Sequence, residues 1–284
     1  MKKILLSIAA VFMLYSAQAQ ETEVAEGTEV PKNWTSKGNF ALLANQSSFS
    51  NWQAGGDNNL AGNVNLNYDL NYKKEGWTWD NKFQVSYGLT KLKGEKEKKT
   101  DDRLEITSLL GKQMTGKWYY SFFMNFKTQM DSGWDKDGNK NTHFMSPAYL
   151  QIGPGLLWKH DDNLKVNFAP ATSRFIMVHK HFTQFGDAFG VKEGKTMEYQ
   201  LGMAINGYYK FNPMENVSIE NILNLYSNYL ENPEKVVLDY QLNVVLKVNK
   251  YLSTNLTFQA IYDDNAYRGF QLREMVGLGV NYTF

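Results

Sequence analysis

Polar side chains recur at every second position through much of this chain, and they are the residues best suited to chemistry. Asn65, Asn67 and Asp69 alternate with large apolar residues, and Asp80 and Lys82 repeat the pattern one segment later. Residues i and i+2 of a β-strand lie on the same face of a sheet. Amides, carboxylates and ammonium groups on one face can pair with one another or line a water-filled space. The pattern therefore predicts a continuous polar face.

Three residues, His179, His181 and Asp187, are the best candidates for hydrolytic chemistry. Nucleophilic catalysis needs a nucleophile and a base within hydrogen-bond reach, with a third group to orient the base. Proximity in the sequence could bring these residues together, but no local motif surrounds them. We therefore predict that the protein is not an enzyme and has no catalytic residues, with a hydrolase at the rim of the fold as the remaining alternative.

Neither the histidines nor the aspartates predict a metal site. The four histidines lack a zinc spacing with a third ligand nearby. Residues 135–141 (DKDGNKN) resemble a calcium loop, but the glycine is at the fourth position and the twelfth lacks a glutamate. A solvated loop explains both features, so we predict no metal and no cofactor.

The polar face is carried by twelve segments of alternating character. Residues 60–72 alternate without a break, whereas a strand of a soluble protein usually has about five or six residues. A tilted strand needs about 9–11 residues to cross a bilayer. The predicted strands are residues 38–48, 59–73, 77–91, 102–113, 117–130, 147–160, 163–178, 195–212, 216–229, 236–249, 251–263 and 270–284.

Both ends of the chain predict an outer-membrane location. Residues 1–19 combine a basic start, an apolar stretch and a small-x-small site, as a cleaved secretory signal peptide does. Tyr282 and Phe284 end an alternating strand, which resembles the signal by which the barrel-assembly machinery recognises outer-membrane barrels. We expect residues 1–19 to be a signal peptide, 20–36 a periplasmic lead-in and 37–284 the barrel.

The connections between predicted strands alternate in length. Short turns at about 74–76, 114–116, 160–162, 212–215 and 249–250 alternate with longer loops, and most of the tryptophans lie near the short turns. Outer-membrane barrels keep periplasmic turns short and external loops long, with aromatic residues at the interfaces. The predicted fold class is all-β: a transmembrane up-and-down antiparallel β-barrel of about twelve strands.

The polar face of such a barrel is its lumen, and its charges are mixed in sign. Two interpretations follow: the charges pair across the lumen and close it, or they line a narrow hydrophilic pore. The predicted lumen-lining residues are Asn65, Asn67, Asp69, Asp80, Lys82, Glu105, Lys127, Glu198, Glu220, Asp239 and Lys247.

Residues 50–58 (SNWQAGGDN) form a predicted external loop with unusual composition. Paired glycines allow backbone conformations that other residues avoid. One hypothesis is that Trp52, Gly55, Gly56 and Asp57 belong to a loop that folds inward and constricts the lumen. A tight hairpin between the first two strands is the alternative.

Composition excludes several other classes of protein. The chain has no cysteine, so disulfides and a lipoprotein anchor are excluded, and its formal net charge of +1 does not suggest nucleic-acid binding. The expected partners are outer-membrane lipid, lipopolysaccharide and the barrel-assembly machinery, with an envelope protein as a further candidate.

Several segments resemble domain-of-unknown-function family 3078, which is common in Bacteroidota. They include residues 50–58, 79–81 (WDN), 87–89 (YGL), 117–120 (KWYY), 125–129 (NFKTQ), 147–150 (PAYL) and 227–233 (SNYLENP). The resemblance runs from about residue 35 to residue 284. It implies an outer-membrane location and no established activity.

The sequence thus leads to three functional hypotheses. The first is a narrow channel or porin for small polar solutes. The second is a barrel with a closed lumen that serves as a structural or accessory subunit of an envelope assembly. The third is an outer-membrane hydrolase.

Overall fold

The computed structural model describes residues 33–47, 59–135, 137–264 and 267–284. Twelve antiparallel strands close into one barrel, each paired with its neighbours along the chain and the last paired with the first. The predicted all-β, up-and-down antiparallel barrel is therefore confirmed.

The barrel strands are long. They are β1 (Trp34–Ser47), β2 (Asn59–Lys74), β3 (Trp77–Leu92), β4 (Lys98–Thr115), β5 (Trp118–Thr128), β8 (Ala148–Lys159), β9 (Leu164–Met177), β10 (Met197–Met214), β11 (Val217–Asn228), β12 (Val236–Lys247), β13 (Leu252–Asp263) and β14 (Tyr267–Thr283). A small hairpin of β6 (Gly133–Trp134) and β7 (Lys140–Thr142) lies between β5 and β8. A single 3-10 turn, Lys180–Phe182, follows β9.

The first strand begins earlier than its alternation predicts. β1 starts at Trp34, which pairs with Tyr72 of β2, so the lead-in predicted to reach residue 36 ends sooner. The strand has few large apolar residues at this end, which hides it from a pattern search. The predicted signal peptide and most of the lead-in lie outside the described residues.

The connections at the two ends of the barrel differ in length, and most of the long ones are at one end. The β2–β3 turn is only Glu75 and Gly76, whose φ angles of 50° and 76° are those of a type I′ hairpin turn. The other tight turns lie at the same end, called here the short-turn end. The longest connections, from β5 to β8 and from β9 to β10, lie at the opposite, long-loop end. The loop predicted at 264–269 is shorter than expected, because β14 already begins at Tyr267.

Most of the outward face is apolar. Leu60, Phe122 and Val276 point away from the lumen with 59%, 49% and 63% of their surface exposed. Outward tryptophans cluster near the short-turn end, where Trp34 packs against Tyr72 and Trp79. No helix within the described ranges is long and apolar enough to span a membrane.

The seam between β1 and β14 closes around a glycine. Gly38 and Phe284 exchange two backbone hydrogen bonds of 2.7 and 2.9 Å. The Phe284 ring lies over Gly38, where a Cβ would come within 2.2 Å of ring carbons, and it stacks on Tyr68. Glycine therefore creates the seat for the C-terminal ring.

Apolar side chains also pack inside the barrel. Leu109, Phe123 and Leu157 lie on inward faces of three neighbouring strands and are buried against one another. Ala169, Ala204 and Tyr226 form a second inward cluster. These clusters fill the side of the lumen formed by β4, β5 and β8–β11.

Candidate functional site

The strand register places all the predicted lumen-lining residues on the inward face. Directly paired residues of an antiparallel ladder share a face, and the pairs Asp69–Lys82, Glu105–Lys127 and Glu220–Asn243 link neighbouring strands on the inner side. Counting by two along the paired strands places the other predicted residues on the same inward face. They are Asn65, Asn67, Asp80, Glu198, Asp239 and Lys247.

Lys82 and Glu220 meet across the full width of the lumen. Strands β3 and β11 are opposite each other in the barrel, with five strands between them on either side. The Lys82 Nζ donates to Glu220 Oε1 at 2.9 Å and also to Asp69 Oδ1 at 3.4 Å. The Tyr208 hydroxyl also donates to Glu220 Oε1, and Asn243 Nδ2 donates to Glu220 Oε2. The mixed charges thus pair across the lumen, as one of the two interpretations expected.

A second set of contacts crosses the lumen closer to the long-loop end. Arg103 of β4 donates to Glu105 on its own strand and to Gln241 on the opposite strand, β12. Arg273 of β14 pairs with Asp101 of β4. We call Arg103, Glu105, Gln241, Asp101 and Arg273 the partition.

Beside the partition, two further contacts tie β5, β12 and β13 together. Lys127 Nζ donates to Asp239 Oδ2 at 2.6 Å, and Gln259 Nε2 donates to Asp239 Oδ1 at 2.7 Å. Asn125 donates to the second oxygen of Glu105 at 2.8 Å. The carboxylates in this layer therefore all have cationic or amide donors.

The partition separates two cavities inside the barrel. The turn-side cavity, of about 330 Å³, lies between the partition and the short-turn end, where Asn212 and Asn216 line it. The loop-side cavity, of about 420 Å³, is lined by Lys127, Tyr149 and Gln259. Arg103 and Arg273 line both cavities, so one layer of side chains divides them.

Asp80 holds two lysines near the short-turn end. Its carboxylate accepts from Lys159 Nζ at 2.9 and 3.0 Å and from Lys165 Nζ at 2.7 Å. Lys159 also donates to Thr78, and its side chain is only 7% exposed. Lys159 was not among the predicted residues, although its alternation with Leu157 along β8 places it on the same face.

Arg174 lies on the inward face of β9 toward the long-loop end, and it was not among the predicted residues either. Its guanidinium donates to Asp263 of β13 at 3.0 Å and lies over the rings of Tyr149 and Tyr226. Ser121 of β5, Asn167 of β9 and Asn206 of β10 form a hydrogen-bonded row that passes over β8. A bulge in β9 shifts the alternation before Arg174, which obscures its face in the sequence.

The long connection between β9 and β10 packs against inward residues at the long-loop end. Val191 is fully buried against Ile176 and Val178, and Phe189 packs on the same cluster. Thr183 is also buried; its hydroxyl donates to the Lys195 carbonyl and its own carbonyl accepts from Gly194 N–H. We call residues 178–196 the latch. The predicted constriction at Trp52, Gly55, Gly56 and Asp57 lies outside the described residues.

The histidines do not assemble with Asp187. The Asp187 carboxylate accepts from the Glu193 backbone, and His179 Nδ1 accepts from His181 N–H. His179 instead lies 6.5 Å, ring to ring, from His143, whose Nδ1 contacts the Ser132 hydroxyl at 3.1 Å. Burial lowers the pKa of His143, with Lys140 and His179 adding to the effect.

Asp135 is the first residue of the calcium-like run, and its carboxylate accepts hydrogen bonds from its own loop. Its carboxylate accepts from the backbone N–H groups of Asp137 and Asn139 and from the Asn139 side chain. The hydrogen bonds from Asn139 and the neighbouring backbone lower the pKa of Asp135. This geometry is that of a turn between β6 and β7.

Sequence comparison bears on the family. The profile of a family described as "Protein of unknown function (DUF3078)" matches residues 44–142. The resemblance to this family is confirmed over residues 44–142, and from residue 143 to residue 284 it stays a prediction. No curated protein gives a significant match to the chain.

Solved outer-membrane barrels are similar in fold. The translocator domain of the autotransporter NalP from Neisseria meningitidis has 9% identity and a TM-score of 0.36, over 100% of this chain and 98% of its own. An outer membrane channel from Pseudomonas putida F1 has 11% identity and a TM-score of 0.38, over 92% and 99%. The NanC porin has 8% identity and a TM-score of 0.37, over 86% and 98%.

Proposed function

We propose that this protein is an outer-membrane β-barrel that conducts small polar solutes along a narrow path, and that the partition closes this path at rest. The apolar outward face supports a location in lipid, because exposing such a large apolar surface to water is energetically unfavourable. The signal-peptide pattern of residues 1–19 supports export across the inner membrane. The short-turn end then faces the periplasm.

One observation carries the proposal. Two cavities lie along the lumen on either side of the partition, and Arg103 and Arg273 line both. Moving these two side chains would join the cavities without breaking a strand. Side-chain movements of this kind need no change in the hydrogen-bonded wall of the barrel.

A barrel with a closed lumen, serving as a structural or accessory subunit, is the second candidate. The contacts between opposite strands and the buried cluster of Leu109, Phe123 and Leu157 favour it, because both fill the lumen. The two candidates differ in whether the partition can open.

Swelling of liposomes that contain the purified full-length protein tests the proposal. We expect slow swelling in glucose and glycine for the wild type, and faster swelling for the double variant Arg103→Gln and Arg273→Gln. Lys112→Gln is the matched control, because it removes a cation from an exposed site near the short-turn end. If the wild type and the double variant are equally impermeable while both run as folded barrels on unheated gels, the closed barrel is the better assignment.

A further inference from the structure

The turn-side cavity has an unusual lining, rich in side-chain amides. Asn39, Asn65, Gln84, Asn243, Asn255 and Asn281 reach it from β1, β2, β3, β12, β13 and β14. An amide presents both a donor NH₂ and an acceptor oxygen. Aliphatic hydroxyl groups offer the same two functions, so a ring of amides matches a molecule covered with hydroxyls.

Most of the charges that line the deeper part of this cavity are already in ion pairs. Lys82 contacts Asp69 and Glu220, Asp101 contacts Arg273, and Arg103 contacts Glu105. Lys210 also lines the cavity, beside its cross-strand neighbour Glu220. With it the deeper charges of the described residues are four cations and four anions, so a charged ligand would find no net opposite charge at this depth. Lys37, Lys247 and Glu215 line the mouth, where they are exposed and screened by salt.

Several of the amides keep unused hydrogen-bonding groups. Within the described residues, the Asn65 side chain has no protein partner, Asn67 uses only its oxygen, and Gln84 uses only its NH₂, which it donates to Asn67. Gln84 is 7% exposed and Asn65 is partly buried, and water in the cavity reaches their unused groups. Their free donors and acceptors lie side by side on β2 and β3.

We infer that the turn-side cavity is a binding site for a neutral polyhydroxylated solute of monosaccharide or sugar-alcohol size. Its volume of about 330 Å³ is near the lower limit of ligand pockets, which run from about 300 to 1,000 Å³. Among the described residues the lining contains no aromatic ring, so recognition is by hydrogen bonds alone and the binding is weak. Weak binding suits a solute that must also leave. The inference names the solute of the proposed path and so rests on the proposed function.

Saturation-transfer NMR on the intact barrel tests this site. The protein is held in lauryldimethylamine oxide micelles, because a maltoside detergent would itself present a sugar. The probes are glucose, sorbitol, sodium gluconate and inorganic phosphate. We expect saturation of glucose and sorbitol, weaker saturation of gluconate, and no shift of the phosphorus signal.

Variants on one strand provide the control. Asn65→Leu should weaken glucose binding about five- to tenfold, the effect of one or two lost hydrogen bonds. Asn65→Asp keeps the shape but removes the donor, and it should weaken binding in the same direction. Asn71→Leu, on the same inward face but outside the lining, should leave binding unchanged.

Three results would overturn the inference: no saturation of glucose or sorbitol by the wild type, equal binding by folded Asn65 and Asn71 variants, or tighter binding of gluconate or phosphate than of glucose. Binding in micelles requires no passage through the barrel. Impermeable liposomes together with glucose binding would therefore contradict the conduction proposal and support the site.

Discussion

At the scale of single residues, Asp80 holds two cations in a part of the lumen that is largely shielded from water. Lys159 and Lys165 both donate to its carboxylate, and the side chains of Asp80 and Lys159 are each 7% exposed. Removing one partner of a buried ion pair leaves the others charged and unpaired. Asp80 therefore stabilises the short-turn half of the lumen.

Asp80→Asn should lower the free energy of unfolding by about 3 kcal/mol, because Lys165 loses its counterion and Lys159 keeps only the exposed Asp162. Urea titration of the barrel in lipid vesicles measures the effect. Asp162→Asn is the control: it also removes a partner of Lys159, but its side chain is 73% exposed. Its effect should stay within about 1 kcal/mol, and equal effects of the two variants would contradict the argument.

Adjacent residues in the middle of β14 test which face meets lipid. Val276 points outward and Met275 points into the turn-side cavity. Val276→Arg should cost about 2–4 kcal/mol of folding free energy in vesicles, because it places a charge against the acyl chains. Met275→Arg should cost clearly less, since water reaches its side. A larger cost for Met275→Arg would show that the faces are reversed.

The sequence predicts which face of the barrel wall each residue lies on, but not which residue of another strand it contacts. Period-two alternation fixes the side of the wall for each residue, which is why Asp80 and Lys82 could be placed in the lumen. The meeting of Lys82 with Glu220 depends on how the closed wall brings opposite strands together. Alternation along one strand carries no information about that distance.

At the scale of elements, the latch is the connection that departs most from a simple solvent-exposed loop. Val191 and Phe189 pack on the inward residues Ile176 and Val178, at the mouth of the barrel. Alternation could not place these two residues, because an irregular loop has no repeating relation between position and face. The predicted strand ends are also wrong where alternation is weak: β1 begins at Trp34 and not at residue 38.

Val191→Asp should release the latch, because it places a charge in an apolar cluster. We expect trypsin to cleave after Lys192 or Lys195 about tenfold faster or more, as local opening becomes easier. Phe185→Asp is the control, since Phe185 is already 90% exposed and its change should leave the cleavage rate as it was. Unchanged cleavage in Val191→Asp would mean that the cluster does not hold the loop.

At the scale of the whole molecule, the barrel depends on closing β14 against β1. The ring of Phe284 fits there because Gly38 has no side chain, whereas the outward Gly62 of β2 has no atom nearer than 4.0 Å to an added Cβ. The two glycines thus provide a matched pair on neighbouring strands. The sequence predicted Tyr282 and Phe284 as an assembly signal, and the seat on Gly38 adds a structural role for Phe284.

Gly38→Ala should displace the Phe284 ring and lower the unfolding free energy by about 1 kcal/mol, the size of one lost aromatic contact. Gly62→Ala should have no such cost. The measurement is the urea midpoint of each variant in vesicles, followed by the shift between heated and unheated samples on gels. Equal midpoints would show that the ring does not contribute to closure.

The contacts between opposite strands also have a kinetic meaning. Lys82–Glu220 and Arg103–Gln241 each join residues 138 positions apart in the sequence. Such contacts are costly in chain entropy until the intervening strands are in place, so they form late, after the wall has closed. Interactions absent from the folding transition state slow unfolding without speeding folding. We therefore expect the Lys82–Glu220 and Arg103–Gln241 contacts to slow the unfolding of the barrel.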